Sequence, residues 1–239
     1  VTIAVGDKFI GYAKELKKTC EKNGVDLDIY TEESSDDNFK QSRYMKIRAI
    51  RNAPSGYDKI AFIDADTIMM NPPNLENING AMVEDWGHRV RKYTPKQFVQ
   101  EKKDVAYERL NSILDINGIP EMKMGIGSKY GDYEWNGGVL VGAPTFLNEL
   151  CDEWEKWHDI INENNEGIFV RDQISLKYAY YNIGVKKYGY ISIPREYNWW
   201  VKKWGVNYDS VLIHENGLNR KRKQNVREAI EWVMNKESK

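Results

Sequence analysis

The chain has almost no cysteine: Cys20 and Cys151 stand alone, with no C-x-x-C spacing. That is too few for a disulfide framework and excludes a thiolate metal site, so both are expected to be buried thiols in a reducing, cytoplasmic setting. An excess of either charge is also missing. Lys and Arg number 35 against 36 Asp and Glu, which removes nucleic acid as the default partner and gives no sign of a disordered charged tail. No apolar run approaches the roughly 20 residues of a membrane span, and the opening Val1-Thr2-Ile3-Ala4-Val5 is too short for a signal sequence. An initial methionine is lacking as well, which points to processing or trimming and leaves room for an anchor or further domain outside these residues. The 239 residues are 41% hydrophobic, enough to bury a large core, and with no linker, repeat or low-complexity stretch they read as one soluble domain, 1–239.

What is there is an alternation of short apolar runs with amphipathic segments, the pattern of an α/β domain with a mostly parallel central sheet flanked by helices. Thr2 to Val5 is expected as a first strand, followed by a helix that places Ala13, Leu16 and Cys20 on one face and ends at Gly24. Asp26 to Tyr30 reads as a strand, Tyr44 to Arg51 as a short helix, and Lys59-Ile60-Ala61-Phe62-Ile63 as a strand covered on both faces. Ala81-Met82-Val83 is a further strand and Pro95 to Leu114 a polar helix, in an insert expected over the site. Gly138 to Val141 and Val211 to Ile213 are later strands. Thr145 to Asn162, Asp172 to Tyr181 and Val226 to Met234 are later helices, the last with Ala229, Ile230 and Val233 inward.

Chemistry enters at Asp64-Ala65-Asp66, where a buried strand delivers two carboxylates to its carboxyl end, the usual ligand edge of an open α/β sheet. Two hard oxygen donors at this spacing suit Mg²⁺ or Mn²⁺, which are held by one or two carboxylates together with phosphate oxygens. Taken alone, the triplet is a weak signal that a solvated strand-end turn would also produce. Phosphatases of the haloacid dehalogenase type also carry D-x-D-x-T after an apolar strand. Theirs, however, follows the first strand, whereas here a strand-helix-strand unit comes before it. They also need a second acidic metal pair, for which no Asp-Asp candidate stands out.

With these residues, an ordered set of motifs spanning nearly the whole chain resembles the glycogenin-like family 8 glycosyltransferases, which have the nucleotide-sugar-binding GT-A fold. The set begins with Ala4-Val5-Gly6-Asp7-Lys8-Phe9 and Lys46, continues through Asp64-Ala65-Asp66 and Trp135-Asn136-Gly137-Gly138, and ends with Asp172-Gln173 and Val211-Leu212-Ile213-His214. The resemblance implies a single Rossmann-like GT-A domain, with the nucleotide-sugar half at about 1–85 and the acceptor-side half at about 86–239. It implies that Val5, Gly6 and Phe9 meet the base and ribose, that Lys46 points at the nucleotide or its phosphates, and that Asp64 and Asp66 take Mn²⁺ (Mg²⁺ possible) with His214 as third ligand. A neutral imidazole beside two carboxylates shifts the preference toward Mn²⁺.

The same resemblance implies that Asn136, Gly137 and Gly138 approach the donor sugar, that Ala65 is also donor-binding, and that Asp172 and Gln173 form the catalytic pair. Gly217 then turns close to the pyrophosphate. Arg220 lies near the position where the family has a phosphate-binding lysine, a departure inside the basic run Arg220-Lys221-Arg222-Lys223. The implied reaction transfers sugar from a UDP-sugar to a hydroxyl on a glycan or glycoprotein acceptor, with retention of configuration. Two other readings accompany it: the dehalogenase-type phosphatase, and a module that binds nucleotide-sugar without turnover. A metal-free glycosidase needs two carboxylates flanking the bond, which an Asp pair beside a His fits poorly. Trp199, Trp200 and Trp204 are expected to place at least one ring on the acceptor side, and the Tyr197-Asn198 that precedes them is read as structural.

Overall fold

The computed structural model describes residues 1–32, 38–85, 100–123, 130–131, 133–163, 172–214 and 220–236. The fold is mixed α/β. Strand β1 (Thr2–Val5) leads directly into helix α1 (Gly6–Lys22), the sharp turn being made by Gly6 at φ 74°, a conformation glycine adopts without a Cβ penalty. Strand β2 (Ile29–Glu32) pairs parallel to β1, three residues later than the expected start. Helix α2 (Asn38–Arg51) precedes strands β3 (Ile60–Ile63), β4 (Thr67–Met69) and β5 (Gly80–Asp85). Helix α3 (Gln100–Ile116), strand β6 (Tyr133–Gly142), helix α4 (Pro144–Glu163) and helix α5 (Asp172–Tyr180) follow. Strands β7 (Trp199–Trp200) and β8 (Leu212–His214) come before the closing helix α6 (Arg220–Asn235).

The expected mostly parallel sheet is replaced by small ladders of mixed direction. Strands β1–β2 and β7–β8 pair parallel, whereas β3–β6, β5–β6 and β4–β8 pair antiparallel. The nitrogen of Val1 donates to Ala61 O at 2.7 Å and Ile63 N–H to Val1 O at 3.0 Å, which lays β1 alongside β3. Strand β6 runs against both of its neighbours, so β3 and β5 point the same way on either side of it. An apolar run covered on both faces has the same composition whichever way it runs, so direction is not written in it.

The two halves of the chain are interleaved by these pairings: β3 of the first half adds to β6 of the second, and β4 to β8. The larger core cluster holds Phe62, Leu140, Leu150, Trp135, Trp154, Trp157 and Tyr180. Burying side chains of this size contributes on the order of 1.5–3 kcal/mol each, provided their polar edges are met. Trp135 Nε1 donates to Ile191 O at 2.7 Å and Trp154 Nε1 to Ser175 Oγ at 3.1 Å, and Trp135 stacks on Tyr180 with centroids 5.1 Å apart. These anchors hold β6 against α4 and α5. Leu110, Ile113 and Leu114 of α3 join the same cluster, so the described part of the insert packs into the core; 86–99 and 124–129 lie outside the described residues.

Cys20 and Cys151 are both free and buried, as their isolation in the sequence implies. Burial pushes each thiol up to about 12, and the thiolate is the reactive form. A disulfide-exchange reagent at neutral pH should therefore leave the folded chain unmodified and label both cysteines once guanidinium unfolds it; rapid labelling of the native protein would mean that α1 or α4 opens readily. No described helix is long and apolar enough to cross a membrane.

Candidate metal centre

Three strand ends deliver the site. Strand β3 ends at Ile63, paired with Val139, and the ladder extends one residue further because Asp64 N–H donates to Gly138 O at 2.7 Å. The chain then turns through Ala65 and Asp66, held by the Thr67 hydroxyl donating to Asp64 O at 2.7 Å. Ala65 packs inward with Ala4 and Ala13, which ties this turn to the β1–α1 corner rather than turning its side chain outward. The β4–β8 register sets Thr67 opposite His214, and the β7–β8 register sets Trp200 opposite it on the other side. Asp66 and His214, 148 positions apart, are thereby adjacent.

His214 Nε2 lies 3.0 Å from Asp66 Oδ1 and 3.8 Å from Asp64 Oδ2. One donor atom from each of the three residues falls within 4.8 Å of the others, the only such group of three among the described residues. Donors held about 2.1 Å from one ion lie about 3 Å apart when adjacent and roughly 4.2 Å apart when opposite, and the separations of 3.0 and 3.8 Å from His214 to the two aspartates fall in that range. The donor chemistry fits as well, two hard carboxylates and one imidazole. Both aspartate side chains keep 22% of their surface exposed, which leaves an approach from solvent, whereas His214 is buried.

The electrostatics are those of a place built for positive charge. Burial pushes the Asp64 carboxyl above its usual range, against the pull of Lys46 and His214. Burial opposes charge on Asp66 as well, but the His214 charge and hydrogen bond outweigh it and hold that carboxyl low. On His214 burial favours the neutral ring, and Asp66 and then Asp64 overcome it, so its pKa is raised. Lys46 Nζ forms an ion pair with Asp64 Oδ1 at 2.8 Å, reaches Gly137 O at 3.4 Å and lies 5.6 Å from the centroid of the Phe62 ring.

The remaining residues singled out in the sequence fall at different distances from this centre. Asn136 Oδ1 accepts from Gly138 N–H at 2.8 Å and from Asn198 Nδ2 at 2.8 Å. A Cβ on Gly138 would stand 2.4 Å from His214 Cε1, and one on Gly137 would stand 2.9 Å from Leu176 Cδ2, so Gly138 makes room for the histidine ring and Gly137 for α5. Gln173 Nε2 donates to Trp135 O, which pins the start of α5 to β6. Asp172 opens α5, but its side chain lies outside the described residues, as do Gly217 and the side chain of Arg220. Val5 and Gly6 form the β1–α1 corner, and Phe9, 42% exposed, packs edge-on against Tyr12.

One residue read as structural belongs to the site. Asn198, fully buried, bridges Asn136 to His214 Nδ1, the latter at 3.0 Å. Its sequence signal was a lone Asn before an aromatic pair, and nothing local distinguishes it from a turn residue. Of the tryptophans, Trp200 is buried while Trp199 and Trp204 are partly exposed, with the Arg195 guanidinium 4.6 Å above the Trp204 ring.

No protein-family model matches the chain, and no curated protein matches it.

Proposed function

We propose that this chain is a metal-dependent glycosyltransferase that moves a sugar from a nucleoside diphosphate donor, UDP-sugar above others, to a hydroxyl of a glycan or glycoprotein. The reading rests on one observation: Asp64, Asp66 and His214, from strand ends far apart in sequence, converge with donor atoms within 4.8 Å of one another, beside Lys46. The mixed α/β fold, with β6 antiparallel to both β3 and β5, departs from the mostly parallel sheet expected of this class, so the GT-A assignment rests on the motifs and is part of the proposal.

In this proposal Asp64, Asp66 and His214 hold Mn²⁺ in preference to Mg²⁺, and the ion, when bound, supplies Lewis-acid neutralisation of the diphosphate. Lys46 adds a fixed positive charge beside Asp64, where the leaving diphosphate gains negative charge during transfer. The β1–α1 corner at Val5 and Gly6, with Phe9, lies at the carboxyl end of β1 and is assigned to the nucleoside. Asp172 and Gln173, at the start of α5, are assigned to the transferred sugar, and retention of configuration is proposed with them. Trp199 and Trp204 offer ring faces for an acceptor sugar.

The expected result is a rise in the unfolding temperature with UDP that requires Mn²⁺, followed by Mn²⁺-dependent release of UDP from one or more UDP-sugars. No UDP effect in the presence of Mn²⁺ would sink the transferase reading. Tight UDP binding without turnover of any donor would move the chain to the binding-module class.

A further inference from the structure

The proton on the buried histidine ring is decided by two asparagines. The Gly138 backbone N–H can only donate, and it meets the Asn136 side chain at 2.8 Å, so the Asn136 atom there is the carbonyl oxygen. That same oxygen is 2.8 Å from the Asn198 amide, whose facing atom must then be the Nδ2 donor. With Nδ2 committed, Asn198 turns its own Oδ1 toward His214 Nδ1 at 3.0 Å, and an acceptor at that distance requires a proton on Nδ1. The other ring nitrogen, Nε2, faces Asp66 Oδ1 at 3.0 Å and Asp64 Oδ2 at 3.8 Å.

We propose that Asn136 and Asn198 are positioning residues that hold His214 as the Nδ1–H tautomer, so that Nε2 presents its lone pair to a divalent ion shared with Asp64 and Asp66. The inference rests on the metal-site reading given above. Left to itself, the Asp66 carboxylate would draw the ring proton to Nε2 and block the ligand position. The relay opposes this from the far side of the ring by offering Nδ1–H a fixed acceptor. Its origin is a backbone N–H, which cannot flip, and its two members nearest the ring nitrogen are sheltered from water, Asn198 being 0% and His214 3% exposed, with Asn136 half-buried. Each amide orientation in the chain follows from the one before it, so the information passes from the β6 backbone to the metal-facing nitrogen. Such a partner orients a metal-binding imidazole and raises its basicity.

The probe is Mn²⁺ alone, with affinity read by electron paramagnetic resonance and the bound nitrogen read by electron spin echo spectroscopy. Protein is prepared with histidine labelled with ¹⁵N at Nδ1 only or at Nε2 only. The wild type should bind Mn²⁺ with the directly coupled nitrogen at Nε2, a measurement that needs no variant to fold. Asn198→Leu should weaken Mn²⁺ binding by about 10–100-fold, and Asn198→Asp, which as the protonated acid can donate to Asn136 Oδ1 and keep its other oxygen as an acceptor facing Nδ1–H, should recover most of that loss. A merely structural asparagine would tolerate a buried aspartate no better than a leucine. Coupling through Nδ1, equal affinity in Asn198→Leu, or failure of the aspartate to rescue would overturn the relay while leaving the metal site standing. Absence of Mn²⁺ binding by the wild type would overturn the metal reading and the relay with it.

Discussion

His214→Ala is expected to abolish Mn²⁺-dependent UDP binding, seen as loss of the UDP-induced rise in unfolding temperature and of Mn²⁺ affinity. The loss should exceed about 100-fold, because removing a ligand costs more than the 10–100-fold typical of removing its hydrogen-bond partner. Asp66→Ala should do the same, since Asp66 Oδ1 and His214 Nε2, 3.0 Å apart, present neighbouring donors to one ion. Circular dichroism should show both variants folded, because the core clusters are built from apolar side chains elsewhere. Normal UDP binding by either variant would mean that the triplet at 64–66 serves another purpose.

The metal-free chain gives this prediction a second readout. The raised pKa of His214 means that its pairing contributes fully below about 6.5, the unfolded value, and is lost as pH rises through the folded value. The lowered pKa of Asp66 means that its share is present above about 3.9 and is lost as pH falls through the folded value. The stability gap between wild type and His214→Ala in EDTA should therefore be widest between about pH 4 and 6.5 and narrow in alkali. A gap that widens as pH rises would contradict the pairing seen here.

Gly138→Ala carries the second large effect. The new Cβ would lie 2.4 Å from His214 Cε1 and 2.8 Å from both His214 Nδ1 and Asn136 Oδ1, distances real Cβ atoms essentially never show. None of the three can retreat cheaply: the ring is wedged between Asn198 and Asp66, and Asn136 is tied to the Gly138 backbone. Gly138 has no positive φ, so the penalty is space rather than backbone strain. A destabilisation of about 1–3 kcal/mol is expected, with Mn²⁺ affinity falling at least about 10-fold because the imidazole is displaced. Gly137→Ala is the control. Its Cβ would meet Leu176 Cδ2, a core side chain of α5 that touches none of the three candidate ligands, so Mn²⁺ binding should change far less whatever the cost in stability. Equal effects of the two substitutions would argue against Gly138 as the seat of the ring.

Much of this was legible before any coordinates. Strand β1, helix α1 with Ala13, Leu16 and Cys20 buried on one face, strand β3 and the inward Ala229 and Val233 of α6 all follow local hydrophobic periodicity. Strand β4 was hidden, because its three residues, Thr67–Met69, are too few to show a period and follow the acidic turn without a break. The direction of β6 was hidden for a different reason, since a strand buried on both faces carries no mark of its polarity.

Composition and spacing by themselves determined that this chain has a substantial apolar core, no thiolate metal site and an acidic pair at the end of a buried strand, because each depends on residue types and near neighbours. Only the tertiary structure decided that Asp66 meets His214, that Gly138 vacates space for the ring, and that Asn198 turns an acceptor to Nδ1. Those contacts join residues 76 to 148 positions apart or pass through Asn198 in a loop without periodicity. They arise from strand register, where a shift of one residue would turn His214 to the opposite face. The pair Asp64 and Asp66 was visible as two carboxylates either side of Ala65; register between β3 and β6 and between β4 and β8 made it one side of a group of three candidate ligands.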